Sequence, residues 1–299
     1  MDTNRKKHVQ TVLKHLYINP LERCNLRCAI CYTKKTDPIL PKETILAFIH
    51  KYKKVHTLAS VTFCGGEVFT LPYFPGLVNT LTAEGIFVQI ITNGTIDRLH
   101  EFSQPNAMNI IVSLDGLETY HDANRGKGNF AKTTNFLKKS LQAGFHAEIF
   151  SIVTKQNIAD LDEFENYLTT FLGQKISVTY HPRKPLAYLM HHPTSNIVGT
   201  VKGFDFLAPR EMVQLLKERK TFPPKKLGCY QIALMSDGRV YGCCEGVTSI
   251  GTIDDDVETL FQHLYSRLNL WEKTNPQDRC LGCTSPDFVC GMKEYISES

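Results

Sequence analysis

"HLYINPLERCNLRCAIC", residues 15–31, joins a short apolar run to three closely spaced cysteines. The run His15–Pro20 reads as a β-strand. Cys24, Cys28 and Cys31 follow it directly in the pattern C-x3-C-x2-C. A loop at the end of a strand can wrap so that three thiolates converge. A structural zinc site closes on four protein ligands, usually as two CxxC pairs. An iron–sulfur cluster held by three cysteines leaves one iron without a protein ligand, open to a substrate or cofactor. On the motif alone, zinc with a distant fourth ligand and three buried thiols are the competing readings.

Outward from this stretch, short apolar runs alternate with longer amphipathic ones. Further strands are predicted at Ser60–Phe63, Phe87–Ile91, Ile110–Leu114, Ala147–Val153 and Ile176–Tyr180. Helices are predicted at Lys42–Tyr52, Tyr73–Glu84, Asp97–Phe102, Phe130–Ala143 and Ile158–Phe171, with Gly144 and Gly173 where C-caps are expected. This alternation predicts an α/β fold with a parallel sheet, a partial (β/α)6 barrel of the TIM type. Chemistry in such folds gathers at the C-terminal ends of the strands.

The pattern breaks after Tyr180. "HPRKPLAYLMHHPTSN" is rich in Pro and His and reads as a connecting segment, followed by a helix near Pro209–Lys220 and a linker, "TFPPKK". Six of the ten cysteines lie beyond it: Cys229, Cys243, Cys244, Cys280, Cys283 and Cys290. The expected organisation is a core over residues 1–222 and a small cysteine-rich domain over 223–299, too short to hold itself by an apolar core alone, so metal helps fold it. "DGRVYGC" predicts a β-hairpin turning at Asp237-Gly238, which brings Cys229 and Cys243 together. Cys280-x2-Cys283 supplies a second pair. Four thiolates close a coordination sphere, and a four-cysteine zinc ribbon is an alternative occupant.

The 299 residues, 42% hydrophobic and 21% charged, are of ordinary globular composition. A net charge of +4 does not point to nucleic acid. No run approaches the ~18 apolar residues of a membrane span, and "MDTNRKKHVQ" lacks the apolar core of a signal peptide. A cytoplasmic, reducing compartment is the expectation, so the cysteines read as ligands, catalytic groups or buried thiols and not as disulfides.

The C-x3-C-x2-C loop after the first strand of a β/α chain resembles the signature of the radical S-adenosylmethionine (SAM) superfamily. The resemblance runs along most of the first 180 residues. It implies a [4Fe–4S] cluster on Cys24, Cys28 and Cys31 whose open iron binds SAM. "FCGGE" (63–67) matches the family's GGE motif, which implies that Gly65, Gly66 and Glu67 hold the methionine amino group. "ITNGT" (91–95) and "VSLDG" (112–116) end the third and fourth strands, placing Asn93, Ser113 and Asp115 near the SAM ribose and carboxylate. "YHDANRGKGNF" (120–130) is similar to the family's H-D-x-x-R-G segment, so Arg125 is expected to meet the carboxylate. Ile152 and Val153 are expected to pack on adenine.

The tail resembles the SPASM and twitch extensions found behind some radical SAM domains. A full SPASM extension carries seven cysteines; this tail has six and departs from its later spacing, which favours the shorter twitch type. That implies one auxiliary [4Fe–4S] cluster on Cys229, Cys243, Cys280 and Cys283, with Cys244 an alternative to Cys243. Cys64, Cys244 and Cys290 then remain as candidate hydrogen-atom donors, Cys64 reading first as a small buried strand residue.

The implied reaction is reductive cleavage of SAM, with an electron from a low-potential donor of flavodoxin or ferredoxin type, to a 5′-deoxyadenosyl radical that abstracts a hydrogen atom. Enzymes with such extensions mostly act on peptides, by epimerisation, oxidation or cross-linking. A sugar or other small molecule is the alternative substrate, and a non-catalytic metal-binding protein the alternative of another class. About 14 residues precede the first strand, so no peptide-recognition domain is expected at that end, and a peptide would be expected to enter with a separate carrier. Tyr180, His181, Arg183, His191, His192 and Glu245 are candidate substrate contacts.

Overall fold

A computed structural model describes residues 14–184, 200–218, 232–242 and 248–274. Six parallel strands, β1 (His15–Ile18), β2 (Ser60–Phe63), β3 (Phe87–Thr92), β4 (Met108–Ser113), β5 (His146–Val153) and β6 (Ser177–Pro182), lie side by side in chain order. Helices return the chain between them: α1 (Lys42–Val55), α2 (Phe74–Ala83), α3 (Glu118–Arg125), α4 (Asn129–Gln142) and α5 (Leu161–Leu172). This is the α/β partial barrel expected of the sequence. One helix prediction needs correction: Asp97–Phe102 holds only a 3-10 turn, Leu99–Glu101. The polar segment Glu118–Arg125, for which no element is predicted, is a helix.

Residue alternation separates the two faces of the sheet. Leu16, Ile18, Val61, Phe63, Val88, Ile90, Val112 and Ile149 are fully buried and join the core beneath the helices. Phe63 packs edge-on against Phe74 of α2 at 5.3 Å, and Phe69 likewise against Phe136 of α4 at 5.9 Å. The opposite, inner face is more polar. His15 meets Thr62 Oγ1 at 3.1 Å, Thr62 donates to Gln89 at 2.9 Å, and Asn109 donates to Glu148 at 2.7 Å. Burial without a charge partner pushes the His15 imidazole down to about 4.

The connecting segment carries α6 (Pro209–Glu218). Beyond it, β7 (Ile232–Leu234) pairs in parallel with β1, and β8 (Arg239–Tyr241) and β9 (Ser249–Thr252) continue the sheet antiparallel, so that one nine-stranded sheet holds both parts. The β7–β8 connection is the predicted hairpin, with Gly238 in the left-handed region at φ 81°. α7 (Val257–Thr274) packs Phe261 edge-on against Tyr52 of α1 at 5.6 Å. Lys51 Nζ, also from α1, donates to the carbonyls of Ile253, Asp254 and Asp255 at 3.1, 3.4 and 2.9 Å. No helix among the described residues is long and apolar enough to cross a membrane.

Candidate active site

The C-terminal ends of β1 to β5 bring the five sequence motifs to one edge of the sheet. The cysteine loop leaves β1 there, with Asn19 N bonded to Leu234 O of β7 at 2.8 Å. Cys24, Cys28 and Cys31 are half-buried. The loop is pinned from outside itself. Asn124 of α3 accepts from Ala29 N at 2.8 Å and, through Oδ1, from Ile30 N at 3.2 Å. Asn93 Nδ2 donates to Asn25 Oδ1 at 2.9 Å and lies 3.8 Å from Cys24 Sγ. Arg27 donates to Cys24 O at 2.8 Å, and Lys35 to Leu26 O at 2.7 Å. Among the described residues no three His, Cys, Asp or Glu side chains close around a single metal ion.

Gly65 and Gly66 press the end of β2 against this loop. Gly66 N donates to Leu21 O and Glu67 N to Arg23 O, both at 2.9 Å. A Cβ on Gly65 would strike Asn19 Oδ1, and one on Gly66 would overlap the carbonyl of Arg23. The glycines therefore let backbone approach backbone, where the sequence suggested an approach to ligand. Glu67 is fully buried and turned inward: its carboxylate accepts from Phe69 N (3.1 Å), Thr92 Oγ1 (2.9 Å) and Asn93 N (2.8 Å). Burial raises its pKa against those hydrogen bonds. Its side chain thus ties β2 to β3 and sets Asn93. Next to Gly65, the buried acceptor Asn19 Oδ1 has no donor, nor has the buried Glu22 Oε2, although Asn19 Nδ2 bonds Glu22 Oε1 at 2.6 Å.

Asp115, at the end of β4, is likewise sealed. It accepts from Arg125 Nε (2.6 Å) and Nη2 (3.0 Å), Asn124 Nδ2 (2.8 Å) and Ile152 N (3.1 Å). Burial opposes its ionisation, but the Arg125 guanidinium outweighs that and holds the carboxyl below its ordinary value. Arg125 is in turn held cationic. Burial leaves the Cys28 thiol pKa raised, and the Arg125 charge opposes that only in part. His121, whose Nδ1 accepts from Asp115 N at 3.2 Å, is pushed down to about 4 by burial. Asn157 bridges the ends of β4 and β5, donating to Asp115 O at 2.6 Å and Ile152 O at 3.0 Å.

Ser113 is half-buried on the inner face beside Phe150, and Ile152 is half-exposed there. Val153 is fully buried on the opposite face with Ile149, so Ile152 and not Val153 presents its side chain to the inner face. Cys64 is buried where β2 ends, its N–H on Ile18 O at 3.1 Å. Of the candidate substrate contacts, Tyr180 turns away from the inner face and donates to Glu165 of α5 at 2.9 Å. His181 packs edge-on against Phe150 at 5.0 Å. Arg183 bonds Phe204 O and stacks over Phe206 at 4.2 Å. His191, His192, Cys229, Cys243, Cys244, Glu245, Cys280, Cys283 and Cys290 lie outside the described residues. Sequence reasoning gave no role to Asn124 or Asn157; Asn124 stands inside the quoted "HDANRG", and Asn157 closes "SIVTKQN" (151–157), the stretch that ends the fifth strand.

Three soft thiol donors on one pinned loop, with a guanidinium beside them, suit an iron–sulfur cluster. The unpartnered acceptors Asn19 Oδ1 and Glu22 Oε2 suit a ligand bringing hydrogen-bond donors, such as the amino group of SAM.

The family described as the radical SAM superfamily matches residues 18–168, half of the chain. The mycofactocin maturase MftC of Mycolicibacterium smegmatis is 33% identical over 149 residues, 47% of this chain and 38% of that protein. The sporulation killing factor maturation protein SkfB of Bacillus subtilis is 27% identical over 146 residues, 47% of this chain and 36% of that one. The chain thus matches well under half the length of these curated relatives. In fold it is similar to anSMEcpe, solved with AdoMet and a Cp18Cys peptide: TM-score 0.71 at 18% identity, covering 95% of both chains. Streptococcus suis SuiB bound to its precursor peptide SuiA gives 0.60 at 17% identity, covering 89% of this chain and 70% of that one.

Proposed function

The chain belongs to the radical SAM superfamily, and on that premise we propose that it is a peptide-modifying enzyme, acting by epimerisation, oxidation or cross-linking. The observation that carries the reading is the convergence of the three-cysteine loop, Gly65–Gly66, Asn93 and Arg125 at one edge of a parallel sheet. Relatives named as maturases of mycofactocin and of sporulation killing factor support the peptide substrate.

Cys24, Cys28 and Cys31 would hold the [4Fe–4S] cluster. When bound, the cluster and SAM supply a 5′-deoxyadenosyl radical that abstracts a hydrogen atom. The chain's own work is to bind and orient. Arg125, fixed in direction by Asp115, offers a cation to the SAM carboxylate. Asn19 and Glu22 offer acceptors to its amino group, and Ile152 an apolar surface to adenine. Glu67 and Asp115 act one step back, as positioning residues. A flavodoxin- or ferredoxin-type protein supplies the electron.

The tail, residues 223–299 behind a core of 1–222, carries one auxiliary [4Fe–4S] cluster on Cys229, Cys243, Cys280 and Cys283. In support, β7 begins three residues after Cys229 and β8 ends two residues before Cys243, and antiparallel pairing places both those strand ends at one end of the sheet. Cys64, Cys244 or Cys290 serves as hydrogen-atom donor if the reaction is an epimerisation.

Anaerobic reconstitution with iron and sulfide, then dithionite and SAM, tests the reading. The expected product is 5′-deoxyadenosine. An intact cluster that yields none excludes it. Loss of iron in Cys283→Ala tests the auxiliary cluster, and unchanged iron per chain overturns that assignment.

A further inference from the structure

β1 to β6 carry a single Asp, Glu, Lys or Arg between them: Glu148 of β5. It stands on the inner face, on the same side of the strand as Phe150 and Ile152. It takes no part in holding the cysteine loop, Asp115 or Arg125. We propose that Glu148 is the subsite for a cationic side chain, Lys or Arg, of the peptide substrate, an inference that rests on the peptide-modifying reading.

Glu148 is half-buried. Asn109 Nδ2 donates to its Oε1 at 2.7 Å; among the described residues that is its one polar partner, and no cation stands against it. Ile111, buried and opposite it in register, and Phe150, next on the same face, supply apolar walls. Charge against such walls is weakly screened, so a cation that reaches it is held more strongly than one in open water.

The neighbouring strands extend the subsite. Thr62 gives its one proton to Gln89 Oε1, so it accepts from His15 Nε2, and His15 Nδ1 accepts from Ser60 at 2.7 Å. That chain of bonds fixes the Gln89 amide and leaves its Nε2 as a donor on the inner face. Gln89 is paired in register with Asn109. The Glu148 carboxylate can only accept, so it fixes the Asn109 amide in turn and leaves Oδ1 as an acceptor. A donor, an acceptor and an anion thus lie on three adjacent strands. They match amide groups and one positive charge, the polar groups of a peptide with a basic residue. Ile152, at the SAM end of the same face, stands four residues beyond Glu148, about 13 Å along a strand. The long apolar stems of Lys and Arg suit that distance and those walls.

The test uses the reconstituted full chain with SAM and no reductant, so that bound peptide is not turned over. The probes are pools of short peptides, capped at both ends and random except at one fixed position, which is Lys, Arg, acetyl-lysine or norleucine. Ultrafiltration and mass spectrometry read what is retained. We expect wild type to retain the Lys and Arg pools about tenfold or more over the two neutral pools. Glu148→Gln, checked first for wild-type iron content and melting temperature, should bring the pools to parity. If it fails that check, Glu148→Asp, which keeps the charge but withdraws it, takes its place and should lower the preference several-fold. Glu163→Gln, exposed on α5, keeps the full preference. Wild type without a preference, a preference that survives these changes at Glu148, or one lost equally in Glu163→Gln overturns the subsite and leaves the peptide reading standing. If no pool is retained by a chain that forms 5′-deoxyadenosine with dithionite, the peptide reading falls and the subsite with it.

Discussion

Arg125 and Asp115 form a buried two-pronged ion pair, Nε to Oδ2 at 2.6 Å and Nη2 to Oδ1 at 3.0 Å, directly behind the cysteine loop. Asp115→Asn keeps the shape but presents one acceptor where two are used and leaves the guanidinium uncompensated. Breaking a buried pair in this way costs about 3–5 kcal/mol. Urea unfolding of the apo-protein should show that loss. In the reconstituted protein KM for SAM should rise, because the cation is no longer aimed.

Gly66→Ala and Gly76→Ala should act in opposite directions. A methyl on Gly66 overlaps Arg23 O, so the cysteine loop must move; the expected readout is reduced iron retention after reconstitution. Gly76 lies within α2, where the nearest atom to an added Cβ is the flexible end of Lys42 at 3.5 Å. There alanine should stabilise by about 0.5–1 kcal/mol, measured by thermal denaturation.

His15 gives a pH signature. Its folded value of about 4 lies below its unfolded value near 6.5. Between the two, the unfolded chain binds more protons, so stability falls as pH drops through this window and is fully present above it. The melting temperature of His15→Gln should fall less steeply than that of wild type from pH 6.5 to 4. Parallel curves would show that His15 is not held neutral.

Lys51 holds the tail to α1 through three carbonyls. Lys51→Met keeps the stem and removes the donors. Each orphaned acceptor costs on the order of 1 kcal/mol where it is shielded from water. Hydrogen exchange should quicken in Ser249–Thr252 and the first turns of α7 while β3 and β4 keep their protection.

The strands were legible because each is a short apolar run with a strong period, and their C-terminal ends located the site. Glu67 and Asp115 were legible as motif members but not as inward-facing braces. What turns them is remote in sequence: Asn93 and Thr92 for the first, Arg125 and Ile152 for the second. The stretch Asp97–Phe102 carries helix-compatible residues but is too short to repay nucleation, and Arg98 is drawn off to the carbonyls of Leu71 and Pro72. The pairing of β7 with β1 leaves no trace in the sequence, since three residues carry no period.

That pairing bears on how the chain is made. β1 is flanked by β2, matched to it at Ser60, and by β7, matched at Ile232. During synthesis the first neighbour emerges early and the second only after most of the chain. Until then the strand that launches the cysteine loop keeps an open edge, able to pair with other chains. Closing it late joins residues far apart, which slows the final step of folding. The nascent protein therefore has an interval in which its cysteine loop exists but its sheet is unfinished, and cluster assembly in the cell has to contend with that order of events.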